Sequence, residues 1–130
     1  VKYSSSFQYD LKIGEAAEDW VNELFSNGKK IEVKNDLMAH KTGNIYIEFE
    51  SRGKPSGLSK TIADYWVYRI NESDFAFIIE VNKLKQICRE FYKAKKYLKE
   101  GGDENTSKGF LIPIHVLILS LNANTSTRTT

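Results

Sequence analysis

Residues 31–50 read IEVKNDLMAHKTGNIYIEFE, and the periodicity of this stretch decides the fold class. Ile31 and Val33 alternate with Glu32 and Lys34, as in a short strand. Ile45, Ile47 and Phe49 alternate with Tyr46, Glu48 and Glu50, as in a longer one with an apolar and a polar face. The turn around residues 41–44, KTGN, is short enough to make the two strands an antiparallel pair. Asp36 ends the first strand, and such a hairpin sets it beside Glu48. Strict alternation sends Glu48 and Glu50 out of the same face. Two like charges there are costly to desolvate without a cation. The pattern leaves two readings open: a solvated acidic hairpin face, or carboxylates around a hard divalent ion.

Outward from this stretch the pattern becomes helical. Residues 1–12 read as irregular. From Gly14 the spacing of Ala17, Trp20, Val21, Leu24 and Phe25 predicts a helix with one apolar stripe, ended by Asn27-Gly28. Glu18 sits at the edge of that stripe. On the other side, SRGKPSG at 51–57 is loop. A helix is expected to begin near Ser59 or Thr61, with Thr61 and Asp64 spaced as a capping box and Ile62, Tyr65, Trp66 and Ile70 buried. Residues 75–81 read as a more buried strand. The clearest helix runs through 83–99, on Leu84, Ile87, Cys88, Phe91, Tyr92 and Leu98, stopped by Gly101-Gly102. The stretch at 101–109 is loop, residues 110–121 are a last apolar segment edged by Pro113, and 122–130 form a disordered polar tail. The expected architecture is therefore α/β: a single domain over 1–121, with a central mixed β-sheet flanked by helices.

Composition narrows the function classes. The 130 residues are 41% hydrophobic and 28% charged, with a formal net charge of +2, which suits one globular domain. No apolar run is long enough for a membrane span. The start VKYSSSFQYD lacks the apolar core of a signal peptide, so the expected setting is cytoplasmic or another intracellular compartment. Cys88 is the single cysteine and excludes an internal disulfide or a thiolate zinc cluster. His40 and His115 are too far apart for a recognisable zinc motif. Without GxGxxG, GxxxxGKS or GxSxG, dinucleotide, P-loop and hydrolase-elbow readings lack support.

Gly14-Glu15-Ala16-Ala17-Glu18, then Asn35-Asp36, then Glu48-Phe49-Glu50 resemble the signature of the PD-(D/E)XK nuclease superfamily, closest to its archaeal-type Holliday junction resolvases. The resemblance covers residues 14–52. It implies a restriction-endonuclease-like fold and Mg²⁺-dependent hydrolysis of DNA phosphodiester bonds leaving a 5′-phosphate, with Mn²⁺ as a substitute. Glu18 becomes the helix carboxylate, Asp36 and Glu48 the principal metal ligands, and the Phe49 carbonyl a further ligand. Glu50 stands where the family usually has lysine, so it is expected to bind metal or orient the attacking water, with Arg52 as its counter-charge. Lys34, Lys54 or Lys60 is then left to supply the positive charge. Glu32-Val33-Lys34 mimics the family's Glu-x-Lys, but no suitable acid precedes it on a hairpin strand. The resemblance also implies a homodimer.

Nucleic-acid contacts are expected from Arg52, Lys54, Ser56 and Lys60, beside the acidic strand. An ordinary surface turn explains them equally well. Tyr65, Trp66 and Tyr68 fit either base stacking or the core. The segment 83–99 carries Lys83, Lys85, Arg89, Lys93, Lys95, Lys96 and Lys99 against only Glu90, as a solvated face or a DNA contact. The competing function is a DNA-binding or structural protein that keeps the fold without cleaving.

Overall fold

A computed structural model describes residues 5–26 and 28–128, with the side chains of Ser5, Asp103 and 124–128 left aside. Asn27, expected to end the first helix, lies outside the described residues. The chain forms α1 (Ser5–Leu24), β1 (Ile31–Asp36), α2 (Ala39–Thr42), β2 (Asn44–Ser51), β3 (Lys54–Pro55), a 3₁₀ turn (Gly57–Ser59), β4 (Tyr65–Ile70), β5 (Ala76–Glu80), α3 (Val81–Ala94), β6 (Leu98–Gly101), a second 3₁₀ turn (Asp103–Asn105), β7 (Ser107–Pro113) and α4 (Ile114–Arg128). The α/β class expected from the sequence is present, with mixed sheet and flanking helices.

The strands fall into two sheets, ordered β1-β4-β5 and β3-β2-β7-β6. In the first, β1 runs parallel to β4 and β5 antiparallel to it. In the second every pairing is antiparallel. Both sheets contribute to one apolar core. Ile45 and Ile47 of β2, Phe110 and Ile112 of β7, and Trp66, Tyr68 and Ile70 of β4 meet Leu84, Ile87 and Cys88 of α3 and Leu117 of α4. Burying this many large side chains, each contributing roughly 1.5–3 kcal/mol, holds the layers together.

Several expectations are corrected. The hairpin of β1 with β2 does not form. Between them α2 redirects the chain, so β1 becomes an edge strand beside β4 while β2 pairs with β3 and β7. The expected helix after Thr61 is strand β4. The spacing of Tyr65, Trp66 and Ile70 suits a helix, but Trp66, Tyr68 and Ile70 also alternate, and a β-branched and aromatic run favours the strand. The Thr61 hydroxyl bonds Glu32 and Trp66 rather than capping a helix. The central strand of that sheet is β4, and β5 is an edge with only Ile79 fully buried. The 83–99 helix stops at Ala94, because Lys95 takes the left-handed conformation (φ 55°). Its N–H and that of Lys96 then bond the Tyr92 and Phe91 carbonyls. Leu98–Gly101 is free to pair with β7.

The two chain ends also differ from expectation. The first helix starts before Gly14, so most of the stretch expected to be irregular is helical. Its apolar stripe is mostly uncovered. Leu24 is buried and Trp20 packs edge-on against Tyr65, but Val21 and Phe25 remain exposed. The last helix carries its backbone to Arg128, past the expected end at Leu121. Among the described residues, no helix is long and apolar enough to cross a membrane.

Candidate functional site

The polarity of β1 is inverted for an edge strand. Its apolar residues face outward, with Ile31 41% and Val33 65% exposed. Glu32, Lys34 and Asp36 are partly buried instead. Register explains where they point: Glu32 lies beside Trp66, Lys34 beside Tyr68 and Asp36 beside Ile70, all on the core-facing side of β4. Charged groups there need partners. Lys34 forms an ion pair with Glu32 and lies 5.2 Å from the centre of the Trp66 ring. Glu32 also accepts the Thr61 hydroxyl at 2.8 Å, while Thr61 Oγ1 accepts the Trp66 indole N–H at 3.2 Å. Partial burial works against the Glu32 carboxylate, yet the bonds from Lys34 and Thr61 and the charge of Lys34 outweigh it and hold its pKa below the usual range.

Asp36 has two roles divided between its oxygens. Oδ1 accepts the backbone N–H of Met38 at 2.8 Å and of Ala39 at 2.7 Å, which sets the turn into α2. Oδ2 lies 3.5 Å from the Tyr68 hydroxyl, and that hydroxyl donates to the Tyr46 carbonyl on β2. Tyr68 therefore links the end of β1 to the backbone of β2, and no described contact joins Asp36 to Glu48 itself. Burial pushes the Tyr68 phenol pKa well up, and the neighbouring Asp36 charge adds to the shift. Two residues beyond Tyr46, Glu48 accepts the Ser56 hydroxyl through Oε2 at 2.9 Å. The Ser56 N–H bonds the Phe49 carbonyl at 3.1 Å, so one lone pair of the expected carbonyl ligand is already engaged. Gly57 lies directly against the Glu48 backbone.

Glu50 leaves the expected face. In the pairing of β2 with β7, Glu48 is opposite Gly109 but Glu50 is opposite Lys108. Phe49 is the extra residue of a β-bulge, and Gly109 and Lys108 are neighbours that point to opposite faces. Glu48 and Glu50 thus point to opposite faces too. The counter-charge of Glu50 is Lys108 at 3.4 Å, not Arg52. Arg52, with φ 52°, and Gly53, with φ 77°, form the two-residue turn joining β2 to β3. Lys54 is an exposed residue of β3. Lys60 lines a shallow cleft with Glu32, Lys34, Gly57, Thr61 and Ile62. Glu18 lines a groove with Ala17, Val21 and Asn22, all on α1 itself. Trp20 of that helix rests on Tyr65, whose side chain leaves β4 opposite to Trp66 and Tyr68. No described contact brings Glu18 to Asp36. Tyr65, Trp66 and Tyr68 are buried, which removes them as base-stacking platforms.

A partly exposed ion pair contributes little, so Glu50→Gln should change stability by less than about 1 kcal/mol. Divalent-metal-dependent plasmid nicking by this variant should stay within a few-fold of the unsubstituted protein. Loss of nicking with an unchanged melting temperature would return Glu50 to the site.

Sequence reasoning missed Tyr68 as a link and Thr61 as a hub. A tyrosine two residues after Tyr65-Trp66 in a supposed helix gives no such signal; only the parallel register of β1 with β4 does. Among the described residues, no three His, Cys, Asp or Glu side chains converge into a metal-holding group. Asp36 and Glu48 carry carboxylate oxygens, the donor type that a hard ion such as Mg²⁺ takes, commonly one or two with substrate phosphate and water. Comparisons with known proteins give no match, whether to a family model, a curated protein or a solved structure.

Proposed function

We propose that this chain is a divalent-metal-dependent nuclease of the PD-(D/E)XK kind, with a restriction-endonuclease-like core, that hydrolyses phosphodiester bonds in duplex or branched DNA. The observation that carries the reading is the inverted polarity of β1: Glu32, Lys34 and Asp36 face inward while Ile31 and Val33 face solvent. Folding alone favours the opposite arrangement, so these charges suit a chemical task. Asp36 and Glu48 would hold Mg²⁺ or Mn²⁺. When bound, the ion supplies phosphate neutralisation and a more acidic water. Lys34, oriented by Glu32 and the Trp66 face, would offset charge growing on the phosphoryl oxygens. Lys60 adds a cation on the same cleft for the DNA backbone. Ser56 donates to Glu48 Oε2 and would orient that carboxylate. A homodimer belongs to the same proposal, and the exposed apolar residues of α1, Phe7, Leu11 and Ile13, supply surface for it.

The test is conversion of supercoiled plasmid to the nicked form. Nicking should need Mg²⁺, stop with a chelator, and be lost in Glu48→Gln. A second reading is favoured because, among the described residues, no three acidic, His or Cys side chains converge: a protein that binds DNA without cutting it. Retained DNA binding with no nicking in Mg²⁺ or Mn²⁺ would select that reading.

A further inference from the structure

On the far side of the 3₁₀ turn from Glu32 and Lys34 lies a second cleft of about 370 Å³, lined by Phe49, Leu58, Ser59, Lys85, Cys88, Arg89, Tyr92 and Phe110. Its volume falls within the roughly 300–1,000 Å³ range of small-ligand sites. One wall is a stripe of α3: Lys85, Cys88, Arg89 and Tyr92 recur at three- and four-residue spacing. The opposite wall exists because of the β-bulge, which turns Phe49 toward Phe110 at 5.2 Å between ring centres and toward Tyr92 at 5.9 Å. The floor is apolar: Leu58, Cys88 and Phe110 are buried there, and that burial pushes the Cys88 thiol pKa up to about 12. The two cations sit one helical turn apart on the rim. Lys85 reaches only the Thr61 carbonyl, at 3.5 Å, and Arg89 has no hydrogen bond or ion pair among the described residues. Tyr92 is 59% exposed, so its ring is available to a ligand.

We infer that this cleft binds a planar nucleobase carrying a phosphate, with the base against Tyr92 and Phe49 and the phosphate on Lys85 and Arg89. A flat ring matches aromatic walls, and a phosphate matches two cations one turn apart that have no carboxylate partner among the described residues. An alkyl chain would want an enclosed tunnel rather than this open, cation-rimmed trough. The inference rests on the nucleic-acid reading of the neighbouring site. Gly57 touches the Glu48 backbone and the next two residues, Leu58 and Ser59, line this cleft. The cleft thus stands one turn of chain from Glu48, where an unpaired base next to a cut phosphate would reach it. Free nucleotide and an unpaired base within a strand share this chemistry.

The test is fluorescence anisotropy of the full chain with a labelled oligothymidylate in the presence of chelator, so that neither metal nor cleavage enters. Competition with thymidine monophosphate and with a blunt duplex of the same length completes it. Tyr92→Ala should weaken single-strand binding about 5-fold or more while changing duplex binding less than about twofold. Lys85→Glu with Arg89→Glu should weaken it about 10-fold or more, and Lys93→Glu, off the cleft, much less. Competition by the mononucleotide that Tyr92→Ala removes assigns the cleft to free nucleotide; strand binding without such competition assigns it to an unpaired base. An unchanged affinity in Tyr92→Ala, equal losses for strand and duplex, or a Lys93→Glu effect as large as the double reversal would overturn the inference. Strand binding is read apart from nicking. A protein that never nicks but shows the Tyr92→Ala effect loses the nuclease reading and keeps this one.

Discussion

Asp36→Asn should reduce divalent-metal-dependent nicking by on the order of 100-fold or more while leaving the melting temperature close to that of the unsubstituted protein. The two oxygens of Asp36 allow the separation. Oδ1 holds the Met38 and Ala39 N–H groups, and an amide oxygen can accept the same bonds. Oδ2 faces the Tyr68 hydroxyl and would be the oxygen left for the proposed cation. An amide there has no negative charge and is a poor partner for a hard divalent ion. Asp36→Ala removes both functions. It should lose nicking and also about 1–2 kcal/mol of stability from the unsatisfied start of α2, read as a fall of roughly 3–10 °C in melting temperature. Parallel nicking rates and thermal melts of the two variants make the comparison. Nicking by Asp36→Asn at the unsubstituted rate would remove Asp36 from the chemistry and leave it as a turn residue.

The legible part of the fold was the part governed by local periodicity. The alternation of Ile45 and Ile47 with Tyr46 and Glu48 predicts β2, and the spacing of Leu84, Ile87 and Cys88 predicts α3. Pairing was not legible, because it depends on contacts distant in sequence. Nothing within residues 31–50 says that β1 prefers β4, thirty-four residues on, to β2. The same limit produced the helix expected at Tyr65–Ile70, where aromatic residues satisfied two periods at once and the sheet decided between them. Within the candidate site, Asp36 and Glu48 were legible as acids beside apolar strand positions. The face of Glu50 was not, since a bulge at Phe49 is set by how Lys108 and Gly109 of β7 align against β2. A contributing reason for that alignment lies at Gly109. A side chain there would collide with the Tyr46 ring and the Ile47 carbonyl, so only glycine lets β7 come this close opposite Glu48.

The largest stability effect belongs to Gly57, which has no chemistry of its own. Its φ is +49°, and a Cβ there would run into the Glu48 carbonyl. Gly57→Ala therefore meets two penalties, left-handed backbone strain and a backbone clash that no rotamer relieves. The turn would have to lift off β2, which loosens Leu58 from the core and pulls Ser56 from the Glu48 carboxylate and the Phe49 carbonyl. The expected loss is about 2–4 kcal/mol by denaturant unfolding, with nicking falling as Glu48 loses its orienting bond. Gly53→Ala is the matching control. Gly53 also has a positive φ, +77°, but a Cβ there meets nothing within 4 Å. It should cost only the strain, about 1 kcal/mol, and leave nicking unchanged. Equal losses in the two variants would mean that the turn yields freely and that close packing on Glu48 does not hold the site together. A larger loss in Gly57→Ala, accompanied by weaker nicking, ties the position of the Glu48 carboxylate to the absence of one methyl group on the opposing chain.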